Sequence, residues 1–405
     1  MIRHSATLAV NELVRAKQAR GERVTHLAFG EAGLPVLPEI AQVLAESTDR
    51  NSYGPVAGSA AARQAAANHL TRRGLETTAD QIVFGPGSKS MLFAVLAALP
   101  GDVILPRPSW VSYAAQAALV GKRVSTIDIP GHAGGVPDPD LLDRHLATAG
   151  PGGVLIVTLP DNPTGTLASP QLVKEVCEVA NIHDLVIVSD EIYRDLSHTD
   201  PVHSPALELP ERTVVTSGLS KSTALGGYRI GYVRVPHGPL FTELHAEIIG
   251  VASEVWSALP GPMQAVAEYV LNDPPEIRAY IDAARNLHRT LVTAVYNENI
   301  AAGASCRAPQ GGFYLYPDFS HARSTLGIHT GEGLARHLLD RHGVAVLAGE
   351  AFGDDGLRFR VATSLLCGVD TEQRWTAMHS SDPLRLPWIA DSLEHIRTAF
   401  RSLMG

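Results

Sequence analysis

The sequence predicts an α/β fold: a mostly parallel central sheet with helices on both faces, followed by a smaller α+β domain. Two observations carry this. Between residues 82 and 235, short β-rich runs alternate with segments of helical period, the pattern of βαβ units in a sheet buried on both faces. Beyond that region the order changes to helix, strand, helix, two strands and helix, which is an α+β pattern. A chain of 405 residues suits two lobes, at roughly 100–200 residues each. The expected boundaries are an N-terminal segment, 1–40, packing with the small domain, a large domain over 41–280 and a small domain over 281–405.

In chain order, MIRHSATLAVNELVRAK reads as an ordinary helix and lacks the apolar core of an export signal. The first 40 residues contribute no β-run to the central sheet. The runs are 82–84, 102–105, 123–128, 153–158, 185–189, 213–216 and 230–235, with helical spacing between them, as in 88–99 and 170–181. Proline and glycine breaks such as Pro106–Pro108 and Pro130–Pro139 separate the elements. A long helical pattern over 262–300, broken at Pro274–Pro275, leads into the last third. There the strands are expected at 313–316, 344–347 and 357–363, and the helices at 331–342 and 388–403.

Composition narrows the function. An apolar fraction of 45% and a charged fraction of 19% support a large core. A net charge of −9 argues against nucleic acid and against anionic membranes as partners, and no apolar stretch has the length of a bilayer span. Cys177, Cys306 and Cys367 are too few and scattered for a disulfide frame, so a reduced, cytoplasmic protein is expected. The 17 histidines give no metal pattern: His337 and His342 stand five apart, and no H-E-x-x-H occurs. GPGSKS at 85–90 lacks the third glycine of a dinucleotide loop, and Gly121-Lys122 lacks the leading glycine of a P-loop.

Several β-runs end in a polar residue. GVLIVTLPDNPTG delivers Asn162, LVIVSDEIY delivers Asp190 and Tyr193, and TVVTSGLSKS delivers Ser220 and Lys221. Ligands of an open parallel sheet bind beyond the carboxyl ends of its strands, so these groups should converge on one crevice. Eight residues past the lysine stands Arg229. Only five of the 33 basic residues are lysine, so few lysines compete for a chemical role.

LPDNPTG, SDEIY and the SK-x7-R block, in this order, make the chain resemble the class I/II aminotransferases, pyridoxal-phosphate enzymes of fold type I. The resemblance runs from HLAFGEAGLP at 26–35 to LRFRVATS at 357–364. It implies transfer of an amino group between an α-amino acid and a 2-oxo acid by ping-pong chemistry. Elimination, decarboxylation or oxidation of the same amino-acid carbanion is the alternative outcome. The cofactor it implies is pyridoxal 5′-phosphate. Lys221 would hold its aldehyde as a Schiff base and shuttle the proton, which requires a neutral amine. Asp190, after an apolar run, would pair with the protonated pyridine nitrogen. Tyr193 and Asn162 would bond the ring hydroxyl, and Trp110, in RPSWVSY, would stack on the ring.

The phosphate would sit on Gly87, Ser88 and Lys89 at a helix start after a strand, completed by Ser220 and Arg229. The family often has a serine where Gly218 stands here, with Ser217 a possible substitute. The Asn162–Pro163 peptide is expected to be cis, as is usual in the family. Tyr53 would reach the phosphate of a neighbouring subunit, implying a homodimer. For the substrate carboxylate, alignment from VATS selects Arg358, while Arg360 lies on the same strand face; Arg358 is preferred. The resemblance makes the backbone of Gly30 the expected second carboxylate contact, beside Trp110 and Asn162. Relative to the family, residues 367–387 are an insertion that could cover the substrate, or, the favoured reading, elaborate the surface.

Overall fold

A computed structural model describes residues 5–404, apart from the side chains of residues 239 and 240. The chain opens with α1 (Ala6–Ala19), the short strand β1 (Thr25–His26), α2 (Pro38–Glu46) and α3 (Ala60–Arg72). The seven β-rich runs become β2 (Ile82–Pro86), β3 (Val103–Arg107), β4 (Val124–Asp128), β5 (Val154–Thr158), β6 (Val186–Asp190), β7 (Thr213–Gly218) and β8 (Ile230–Arg234). They form one sheet in the order β2-β8-β7-β6-β5-β3-β4, in which β8 alone runs antiparallel to its neighbours. All residues of β5 and β6 are buried, as central strands covered on both faces must be.

The covering helices are α4 (Ser88–Ala98), α5 (Val111–Leu119), α6 (Pro139–Ala149), α7 (Pro170–Ile182), α8 (Pro205–Glu208), α9 (Pro239–Val255) and α10 (Gly261–Leu271). Their starts follow local chemistry. Asp138 and Ser169 accept hydrogen bonds from the backbone of Leu141 and Leu172, and each precedes a proline at the first helical position.

The helical pattern broken at Pro274–Pro275 resolves into α10 and α11 (Pro275–Ala301). α11 joins the lobes: Ile277 and Ile281 pack in the core that holds β2 and β8, and Leu287, Leu291 and Val295 in that of the small lobe. The small lobe adds β9 (Tyr314–Leu315), α12 (Ala322–Leu326), α13 (Gly331–His342), β10 (Val344–Ala345), β11 (Leu347–Ala348), β12 (Phe359–Ala362), α14 (Thr371–His379) and α15 (Pro387–Arg401). The N-terminal segment divides. α1 sets Ala6, Val10 and Val14, four apart on one face, against Ala345, Leu347 and Phe352, and β1 pairs with β10 in parallel. α2, through Ile40, joins α3 and α10 in the large-lobe core.

The inserted residues fold as α14 and a short turn. Ala377 and Met378 enter the small-lobe core, and Trp375 meets Tyr280 of α11 edge-on with centroids 6.2 Å apart. None of them lines the cleft described below. The Asn162–Pro163 peptide is trans, contrary to the expectation; the cis bonds among the described residues are Arg107–Pro108 and Leu159–Pro160, just past or at the ends of β5 and β3.

Candidate active site

A cleft of about 560 Å³ opens beyond the carboxyl ends of β5, β6 and β7. Asp190 is the last residue of β6, Asn162 lies four residues past β5, and Ser220 and Lys221 follow β7. Lys221 Nζ donates to the carbonyl of Gly30 at 2.5 Å and lies 5.8 Å from the Tyr193 ring centroid. Burial, reinforced by the Arg360 guanidinium, pulls this amine down to about 8. About one amine in ten is therefore neutral at pH 7, far more than for an ordinary lysine.

Asp190 is buried, and burial pushes its carboxyl up to about 6. Hydrogen bonds oppose that rise. Tyr113 Oη, itself 2.9 Å from Thr158 Oγ1, donates to Asp190 Oδ2 at 2.8 Å, and the Ile192 amide donates to Oδ1 at 3.3 Å. Tyr113 lies three residues beyond Trp110 and is 1% exposed; its sequence position reads as ordinary helix core and carries no signal of this role. Tyr193 and Tyr314 share a hydrogen bond at 2.8 Å.

Arg360 is 1% exposed and, among the described residues, pairs with no carboxylate. Nη1 donates to Asn162 Oδ1 at 3.0 Å and Nη2 to the Ala28 carbonyl at 2.8 Å, while the guanidinium lies over the Tyr314 ring, 4.6 Å from its centroid. Its Nε has no partner. A buried cation without a counter-ion is costly, so this site calls for an anion. Arg358 differs on each point. It is bound to Asp318 at 2.9 Å and to both oxygens of Asp354 at 3.0 and 2.9 Å, and it lines a separate cavity of about 710 Å³ between the lobes. The preference for Arg358 is corrected: its carboxylate-binding capacity is already taken, and it lies outside the cleft.

At the opposite end, Gly87 caps α4 with φ +87°, and Ser88, Lys89, Ser220 and Arg229 line the cleft. A Cβ on Gly87 would lie 2.2 Å from Arg229 Nη2, so only glycine lets the helix start and the guanidinium approach. Arg229 itself takes left-handed backbone angles, φ 55°. The helix amides and this arginine make an anion cradle. Gly218 cannot be serine without moving, because its Cβ would lie 2.6 Å from the Ile230 carbonyl. Ser217, the suggested substitute, bonds the Glu191 carbonyl at 3.4 Å and does not line the cleft.

Trp110 lines the cleft with Lys89 Nζ 5.1 Å from its ring centroid. Tyr53 is 93% exposed and outside the cleft of its own chain. Ser5, Thr7, Leu8 and Arg15 of the N-terminal segment also line the cleft, a contribution that sequence reasoning did not identify.

Pyridoxal phosphate fits these residues. An enclosed lysine amine of lowered basicity, a buried carboxylate held by a phenol, and an anion cradle meet in one cleft, and a second anion position stands at Arg360.

The family model described as aminotransferase class I and II matches residues 22–373. Among curated relatives, the aspartate aminotransferase of Geobacillus stearothermophilus is 29% identical over 385 residues, covering 89% of this chain and 92% of the relative. The aspartate/prephenate aminotransferase of Thermus thermophilus is 30% identical over 371 residues, covering 89% and 92%. The structure of the Thermus thermophilus aspartate aminotransferase with maleate superposes with a TM-score of 0.83 at 28% identity, covering 93% of this chain and 96% of that one.

Proposed function

The chain belongs to the class I and II aminotransferase family, and within that family we propose that it takes an acidic amino acid as donor. It is a pyridoxal-phosphate-dependent enzyme that moves an amino group between an α-amino acid and a 2-oxo acid. Pyridoxal phosphate, when bound, supplies an aldehyde for amine exchange and a ring that accepts electron density from the substrate Cα.

We assign the following tasks. Lys221 would hold the cofactor through Nζ and, once freed, carry the proton at the substrate Cα. Asp190 would keep the ring nitrogen protonated, with Tyr113 holding its carboxylate. Asn162 and Tyr193 would bond the ring hydroxyl, and Trp110 would stack on the ring. Gly87, Ser88, Ser220 and Arg229 would bind the phosphate. Arg360, not Arg358, would bind the α-carboxylate with two parallel hydrogen bonds, and Gly30 would face it across the cleft.

The observation that carries this reading is the unpaired, buried Arg360 in the same cleft as Lys221 and Asp190. The acidic side chain is supported by Lys89, which lines the cleft without an acid partner among the described residues, its amine lowered by burial and by Arg229. The relatives named above are aspartate aminotransferases, and the Thermus enzyme's structure is with maleate, a dicarboxylate.

The test is a panel of amino donors with 2-oxoglutarate as acceptor. Aspartate should be consumed one for one with oxo-acid formation, at a higher kcat/KM than alanine or phenylalanine. Equal efficiency for the monocarboxylic donors would remove the acidic reading, and product without acceptor would favour elimination, decarboxylation or oxidation.

We also propose a homodimer in which Tyr53 of one chain serves the phosphate site of the other. Tyr53 is 93% exposed and lies outside the cleft of its own chain, free to reach another. Cys177, Cys306 and Cys367 are all free, in keeping with a cytoplasmic setting, and no helix among the described residues is long and apolar enough to cross a membrane.

A further inference from the structure

The tasks assigned above leave one cleft-lining cation without work. α1 rests on the small lobe through Ala6, Val10 and Val14. One residue further along each turn, Thr7, Asn11 and Arg15 form the adjacent stripe, since residues four apart share a helix face. Both ends of that stripe, Thr7 and Arg15, line the cleft. Its middle is fixed in place: Asn11 Oδ1 is 3.0 Å from His26 Nε2, and the His26 ring stacks with Phe29, another cleft residue, at a centroid distance of 6.3 Å. Arg15 is near enough to the same histidine to add to the burial that lowers it to about 4. Among the described residues Arg15 makes no ion pair and no side-chain hydrogen bond, and it is exposed.

We propose that Arg15 is a specificity-determining residue that pairs with the side-chain carboxylate of the donor at the mouth of the cleft. The inference rests on the acidic-donor reading and deepens it. Lys89, beside Trp110 on the large lobe, would face that carboxylate from one side, and Arg15, on the helix attached to the small lobe, from the other. An arginine open to water earns little from an ion pair, so its contribution depends on the substrate filling the mouth and displacing solvent there. A donor that ends in a methyl or phenyl group offers Arg15 nothing to bind.

Arg15→Gln and Arg15→Lys test this in the holoenzyme, with aspartate and alanine as donors against one acceptor. Arg15 is exposed on a helix surface, and neither change removes a core contact. In Arg15→Gln the aspartate-to-alanine ratio of kcat/KM should fall about fivefold, carried by KM for aspartate, the size expected of a partly solvated pair. Arg15→Lys, which keeps the charge, should restore most of the ratio. A ratio in Arg15→Gln within twofold of wild type would overturn the assignment of Arg15 and leave the acidic-donor reading standing. A wild-type enzyme with no preference for aspartate would overturn both.

Discussion

Arg360 Nη1 donates to Asn162 Oδ1 across 3.0 Å, tying β12 of the small lobe to the loop that follows β5 of the large one. The bond holds a buried guanidinium in the cleft and fixes the amide proposed to bond the ring hydroxyl. Arg360→Gln should therefore lower kcat/KM for every α-amino acid by about 2–5 kcal/mol, the range for losing one partner of a buried charge pair. Arg358→Gln, which leaves Asp318 and Asp354 without their partner but touches no cleft residue, should cost less than about 1 kcal/mol in kcat/KM. Steady-state kinetics of the two variants on one donor check the assignment. Equal losses would return Arg358 to consideration.

Lys221 must be neutral to attack an aldehyde. With its amine held at about 8 by burial and by Arg360, capture of cofactor by the apoenzyme should accelerate as pH rises through about 8 and then level off. Removing the neighbouring cation in Arg360→Gln should move that midpoint upward. Stopped-flow absorbance at a series of pH values reads both. Lys221→Ala should lose turnover altogether, and normal turnover in that variant would end the mechanism.

Tyr113→Phe removes the donor to Asp190 Oδ2 while keeping the ring that packs edge-on against Trp110. A hydrogen bond to a charged group is worth about 1.5–3 kcal/mol, so the carboxyl should titrate roughly one to two units higher. The acid limb of the holoenzyme's pH–rate profile is expected to move upward accordingly. An unmoved limb would mean that Tyr113 only fills space.

Asp190 carries a cost in the empty protein. Its folded value, about 6, lies above its ordinary value of about 3.9, so the penalty appears as pH rises from about 4 and is complete above about 6, at roughly 3 kcal/mol. Cofactor-free Asp190→Asn should therefore be more stable than wild type at pH 8, with the difference vanishing near pH 4. Denaturant unfolding at the two pH values measures it. The same variant should hold the cofactor poorly.

The proposed dimer makes a prediction that needs no structure of the assembly. If Tyr53 serves the other chain's site, mixing Lys221→Ala with a Tyr53→Ala variant creates hybrids with one intact site. Subunit exchange should then recover up to about one quarter of wild-type activity, the statistical yield for a two-fold dimer. No recovery with exchange demonstrated would place Tyr53 outside the site.

The sequence made the sheet legible because each central strand is a continuous apolar run ended by a polar residue. Asn162, Asp190 and Lys221 stood out for the same reason. What it obscured were choices between equivalent positions. Arg358 and Arg360 share a strand face, and a period of two cannot tell which of two adjoining cavities each enters. The order Pro160-Asp161-Asn162-Pro163 offered two X–Pro bonds, and the cis one is the first. In sequence Tyr113 is like any buried helical aromatic, and only the fold sets it beside Asp190. α1 carries too weak a pattern to announce that it borders a cleft whose lysine and buried carboxylate stand more than a hundred residues away in sequence.

Because β8 runs against its neighbours, the chain doubles back after β7, and Gly218 pairs with Gly231 at the turn's base. Lys221 and Arg229 thus ride on a single out-and-back excursion whose two feet are clamped together by glycine. The reach from the proposed covalent anchor to the proposed phosphate clamp is consequently set by the length of that excursion. Lengthening it by one residue would spoil both grips at once, even though every other wall of the pocket stayed where it was.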